Sequence, residues 1–146
     1  MSAQPKQGLA LIDSLQSDLN KTGEDTLRYR LLNRLCYTYG TIDAAKGIEY
    51  GSRALELGRK LRWEKGIADA LYYRGSAYLY ASRYPEALED YFVALPLLEK
   101  LEDPDRVAGL LSNIGGAYLP EQIRPRTGVL FQSPAPEPYD RRSQQF

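Results

Sequence analysis

The sequence predicts an all-α protein built as a short array of stacked, antiparallel helix pairs. Three observations predict it. The run Gly75-Ser76-Ala77-Tyr78-Leu79 returns forty residues later as Gly115-Gly116-Ala117-Tyr118-Leu119, with Ile67, Ala68 and Leu71 echoed by Val107, Ala108 and Leu111. A second set keeps the same spacing: Ile48 with Leu88, Ala54 with Ala94, Leu55 with Leu95, Leu57 with Leu97 and Leu61 with Leu101. Between these echoes, apolar residues recur every three or four positions, the helical period. A fixed period of this size marks a repeat in which each unit buries its apolar face only against its neighbours.

The elements follow in order. Residues 8–19 place Leu9, Ile12, Leu15, Gln16 and Leu19 at helical intervals, a short amphipathic helix. The polar run Lys21-Thr22-Gly23-Glu24-Asp25 breaks it. A second helix over Thr26–Tyr39 carries apolar residues at 27, 31, 32, 35, 36 and 39. Gly40-Thr41-Ile42-Asp43 reads as a tight turn with Asp43 as N-cap. Ala44–Leu61 is a third helix, with Ile48, Leu55 and Leu61 on its buried side. Gly66 marks the next break, and a fourth helix runs from about Ile67 to Ala81. Pro85 suits the first turn of a fifth helix. Pro96 removes a backbone hydrogen bond inside it, which predicts a kink rather than an end because Leu97, Leu98 and Leu101 continue the stripe. Asp103-Pro104-Asp105 closes the unit, and Val107–Leu119 is a sixth helix. The array therefore covers 8–119: a partial unit 8–22, units 26–65 and 66–105, and a half unit 106–119.

These residues resemble tetratricopeptide repeats. The middle unit carries the pattern in Leu71, Gly75, Tyr78, Tyr84, Ala87, Tyr91 and Ala94. The first unit has Leu32, Cys36, Tyr39, Ala44, Gly47, Gly51 and Ala54 in those places, with a turn one residue shorter, since Tyr39 to Ala44 is five steps and Tyr78 to Tyr84 is six. Small residues let helices cross closely while aromatics fill the hollow beside them. The first helix resembles the second half of an incomplete unit. The long unit and Ile67-Ala68-Asp69-Ala70-Leu71 are similar to bacterial signalling arrays, where such repeats precede a kinase, cyclase, phosphatase or DNA-binding domain; here no output domain is read. The resemblance implies a right-handed superhelix and a protein-interaction scaffold that holds a peptide or partner helix in its concave groove. Carried over position by position, the groove side chains are Arg30, Asn33, Arg34 and Tyr37, then Asp69, Tyr72, Tyr73 and Ser76, then Ser112 and Asn113. Members that clamp a C-terminal carboxylate need a polar residue where Tyr73 stands. The alternative is the sensory portion of a bacterial signalling protein separated from its output domain.

Beyond Leu119 the composition changes. Pro120, Pro125, Pro134, Pro136 and Pro138 interrupt any helical period, predicting a disordered tail over 120–146. A shifted reading frame offers another origin. Codons compatible with Leu119-Pro120-Glu121-Gln122-Ile123-Arg124-Pro125, read one base on, permit Y-Q-N-K-Y-D, and the following residues permit R-A-L-E-Y-Y-S-K-A-L. That hidden stretch aligns with Tyr80–Leu95, so a frameshift near Leu119 is expected to truncate a longer array.

Composition narrows the chemistry. Nineteen basic and nineteen acidic residues cancel, so no electrostatic footprint for nucleic acid or an anionic membrane is expected. The chain has no histidine, which removes the commonest general base and zinc ligand. A single cysteine, Cys36, has no partner for a disulfide and sits among Leu31, Leu32 and Leu35, as a buried small hydrophobe would. No phosphate-binding glycine loop, catalytic carboxylate pair, metal site or cofactor site is read, and the chain is not expected to be an enzyme. Without an apolar span or secretory leader the expected location is cytoplasmic. An uncovered last helix would favour self-association.

Overall fold

Three-residue turns at 41–43, 61–63, 81–83 and 101–103 are too short for anything but a reversal of direction, so each helix they join lies antiparallel to the next. The computed structural model of the protein describes residues 8–23 and 26–119. Among them the chain forms α1 (Leu9–Leu19), α2 (Thr26–Gly40), α3 (Ala44–Lys60), α4 (Glu64–Tyr80), α5 (Tyr84–Lys100) and α6 (Pro104–Ala117), with no strand. The pairs α2/α3 and α4/α5 stack through α3 and α4. Helix α1 packs on α2, and α6 packs on α5 with only a marginal contact to α4. The all-α array of antiparallel pairs is thus the observed architecture.

The turns explain where the helices stop. Asp43 caps α3 by accepting from the Lys46 N–H at 3.3 Å, and Asp103 caps α6 by accepting from that of Arg106 at 3.1 Å. Three turns close with a six-residue loop-back: the N–H groups of Trp63, Arg83 and Asp103 donate to the carbonyls of Gly58, Tyr78 and Leu98. Each places a residue in the left-handed region, Arg62 at φ 52, Ser82 at 59 and Glu102 at 55. The first turn differs: Asp43 N–H reaches back only to Tyr39, at 2.7 Å, with no positive φ. The expected one-residue shortening is not seen: both turns have three residues, and Tyr39, whose carbonyl accepts from Ile42 as that of Leu79 does from Ser82, stands in the place of Leu79 and not of Tyr78.

Small residues sit at the helix crossings. A Cβ on Gly75 would lie 2.6 Å from the Tyr91 ring, and one on Gly51 would lie 2.8 Å from Arg74 Cβ and 2.9 Å from Cys36 Sγ. Cys36 is fully buried there, and burial pushes its thiol up to about 12, so it packs as an apolar group. Arg74 ties three helices together. Its guanidinium grips Asp90 of α5 through two bonds, Nε to Oδ2 at 2.7 Å and Nη2 to Oδ1 at 2.6 Å, while Nη1 donates to Ser52 of α3 at 3.1 Å.

Three expected boundaries are corrected. Helix α4 begins at Glu64, not Ile67, so Gly66 lies inside it and is no break. Its smallness serves packing: a Cβ there would lie 2.5 Å from the Trp63 ring. Helix α6 begins at Pro104, not Val107, because Asp103 caps it and Pro104 occupies the first turn, where a missing N–H costs nothing. It ends at Ala117, short of Leu119. Pro96 does not end α5, which continues to Lys100. The Phe92 carbonyl it leaves without a helical partner belongs to an exposed stretch where water can serve. The expectations for the tail and its reading frame lie outside the described residues.

Candidate functional site

The first helices of successive pairs, α2 and α4, together with α6, line one side of the array, and a small polar cleft opens between them. Its volume is about 50 Å³, and it is lined by Tyr29, Arg30 and Asn33 of α2, Trp63, Lys65 and Asp69 of the α4 start, and Arg106 of α6. Spacing dictates this convergence. Tyr29, Arg30 and Asn33 fall within one helical turn, as do Lys65 and Asp69 four apart, so each helix presents one edge to the cleft.

Arg106 organises the floor. Its Nη2 donates to the Tyr73 hydroxyl at 3.1 Å and its Nη1 lies 3.3 Å from Asp103 Oδ2. Asp69 Oδ1 sits 3.2 Å from Arg106 Nη1, within ion-pair range but out of hydrogen-bonding alignment. Lys65 Nζ pairs with Asp69 Oδ2 at 3.3 Å. Burial raises the Asp69 carboxyl above its ordinary range in spite of Arg106 and Lys65, which pull it down. Burial opposes the Arg106 charge, but Asp69, Tyr73 and Asp103 outweigh it and hold the guanidinium above its usual value. The wall is rigid: Tyr29 donates to the Gly66 carbonyl at 2.6 Å and meets the Trp63 ring edge-on at 4.8 Å. Arg30, Lys65, Arg106 and Asp69 put charges of both signs in the cleft lining, and the Asp103 carboxylate pairs with Arg106 from behind. Three polar atoms there, Asn33 Oδ1, Asp69 Oδ1 and Arg106 Nε, are buried without a hydrogen-bond partner, although Asp69 Oδ1 keeps its ion-pair distance to Arg106.

The groove residues read from sequence divide into three sets. Arg30, Asn33 and Asp69 meet in the cleft. Tyr37, Tyr72, Tyr73, Ser76 and Asn113 form an aromatic and polar seam inside the stack instead. Tyr73 stands edge-on to Tyr37 at 5.8 Å and to Tyr72 at 5.4 Å. Ser76 Oγ shares a hydrogen bond with the Tyr91 hydroxyl at 2.9 Å, and Asn113 Nδ2 donates to that hydroxyl at 3.2 Å. Tyr72, Tyr73 and Asn113 are buried, so they are not the exposed groove contacts their positions suggested; the seam claims them. Arg34, half-buried, and Ser112, exposed, line neither feature. Sequence reading missed Tyr29, Trp63, Lys65 and Arg106. The Asp103-Pro104 pair, read as a cap with proline behind it, would have placed Arg106 in the first turn of α6.

Among the described residues no group of acidic residues or cysteines is arranged to hold a metal ion, and no helix is long and apolar enough to cross a membrane. Comparison of this chain with known protein families, with curated proteins and with solved structures yields no match.

Proposed function

We propose that this protein is an interaction module that holds a peptide segment of a partner protein across the cleft between α2, α4 and α6. The observation that carries this reading is the cleft's composition: polar side chains from three helices of successive units converge with Asn33 Oδ1 and Arg106 Nε left unpaired. An orphaned buried polar atom costs roughly 1–3 kcal/mol, a cost that a small turn of Asn33 or Arg106 onto an incoming group removes. A peptide brings what both lack, an N–H for the asparagine oxygen and a carbonyl or carboxylate for the guanidinium. The resemblance to tetratricopeptide repeats supports the same class of function.

The test is binding to an immobilised peptide library, followed by titration calorimetry with the best binders. Asn33→Ala and Arg106→Gln are expected to weaken binding while the helical circular dichroism is kept. Phe92→Ala, on the exposed side of α5, is expected to leave binding unchanged. Binding insensitive to both cleft changes but lost with Phe92→Ala refutes the assignment.

A further inference from the structure

Helix α6 repeats α4 forty residues on, and the repetition extends to a face whose counterpart is covered in one helix and bare in the other. In α4 the stripe Ala68, Leu71, Gly75 and Tyr78 lies under neighbours: Ala68 and Leu71 are 0% and 2% exposed, and the Tyr91 ring of α5 seats directly on Gly75. Its equivalents Ala108, Leu111, Gly115 and Tyr118 are all exposed, Leu111 by 50% and Tyr118 by 66%. A Cβ placed on Gly115 meets no described atom within 4 Å. The rest of α6 is engaged, since Leu110, Asn113 and Ala117 are buried. Glycine inside a helix costs about 1 kcal/mol relative to alanine. At Gly75 that cost has a visible reason in the aromatic knob above it.

We propose that the Leu111–Gly115–Tyr118 face of α6 is a docking site for an amphipathic helix of a partner chain with the chemistry of α5. That helix carries an aromatic residue seated on Gly115, an alanine four residues before it and another three after, the spacing of Ala87, Tyr91 and Ala94, all three fully buried in this chain. It differs from α5 at one position. Asp90, just before the knob, pairs with Arg74, whose equivalent in α6 is Ile114. The docking helix therefore carries an apolar or aromatic residue there, because a carboxylate facing Ile114 loses water without gaining a partner.

Two other occupants fit less well. Residues 120–146 contain one alanine, Ala135, and their prolines each cost about 3 kcal/mol inside a helix of α5's length. A folded second copy has no spare α5, since Ala87, Tyr91 and Ala94 are already buried against its own α4.

The inference concerns a different surface from the cleft and does not rest on it. The probe is a fluorescent peptide Y-Q-N-K-Y-D-R-A-L-E-Y-Y-S-K-A-L, which carries alanine, aromatic and alanine at the required spacing with tyrosine before the knob. Saturable anisotropy with the full chain is expected. Gly115→Leu fills the seat, and its Cβ meets no described atom within 4 Å, so it should weaken binding at least about tenfold while the thermal melt holds or rises. Asn33→Ala should leave peptide binding unchanged. Replacing the tyrosine before the knob by aspartate should weaken it. Absence of saturable binding, equal binding by Gly115→Leu, or sedimentation showing a dimer that Gly115→Leu dissolves would each overturn the proposal.

Discussion

Adding one methyl group at Gly75 and one at Gly115 should move stability in opposite directions, although the two glycines share a sequence context. At Gly75 a Cβ would meet three atoms of the Tyr91 ring at 2.6, 2.9 and 3.2 Å, well inside contact distance. The ring cannot swing aside cheaply: Tyr91 is fully buried and its hydroxyl is held by Ser76 and Asn113. Overpacking of this kind costs about 1–3 kcal/mol, and the pinned ring argues for the upper end. Against it stands the better helix propensity of alanine, about 1 kcal/mol. Gly75→Ala should therefore lose about 2 kcal/mol. At Gly115 only the propensity term acts, so Gly115→Ala should gain up to about 1 kcal/mol, less for fraying near the helix end. The two variants should differ by about 3 kcal/mol, or on the order of 10 °C in Tm for a domain of this size. Urea titration at constant m-value measures it directly. Equal stabilisation by both alanines would show that the α4–α5 crossing has room at Gly75, and the close contact on which the packing account depends would be wrong.

Two further outcomes follow from buried charge. Asp90→Asn leaves the Arg74 guanidinium without its counter-charge; breaking a fully buried pair costs about 3–5 kcal/mol, and because Arg74 is only part-buried a loss of about 2 kcal/mol is expected in the same assay. For Asp69, burial raises the folded carboxyl above its unfolded value of 3.8, so in the window above that value the folded state binds more protons than the unfolded one. Its contribution to stability therefore falls as pH rises from about 4 through the raised pKa. The stability difference between the parent and Asp69→Asn should change across that window and level off above it; a difference flat from pH 4 to 7 would contradict the burial account.

The fold was legible because its signals are redundant. The forty-residue echo, the 3.6-residue period and the turn residues all point to antiparallel pairs, whereas the extra step between Tyr78 and Tyr84 misled, because Tyr39 stands in the place of Leu79 and the two turns are equally long. Gly66 misled because a glycine read alone looks like a breaker, whereas its place is set by a tryptophan three residues away that packs back onto it. Arg106 was hidden by that same habit at the next boundary, where a proline was taken for an end rather than a beginning. The faces of α4 were illegible for another reason. With α2, α3 and α5 around it, ten of its residues are buried, and a helix apolar on nearly every side does not declare which tyrosines look outward.

The Tyr91 hydroxyl, which joins Ser76 of α4 to Asn113 of α6, shapes how the array comes apart. Helix α6 packs on α5 and barely touches α4 directly, so this oxygen and the Arg106 contacts carry much of what couples the last helix to α4. The chain is then a cooperative block from α2 to α5 with a more loosely latched helix at each end, α1 and α6. Opening of α6 exposes only its own amides, whereas opening of α5 withdraws Tyr91 from Gly75 and releases α6 with it. Unfolding should run inward from the α6 end, and hydrogen exchange would register that order as slower release on the α4–α5 side of the tyrosine than on the α6 side.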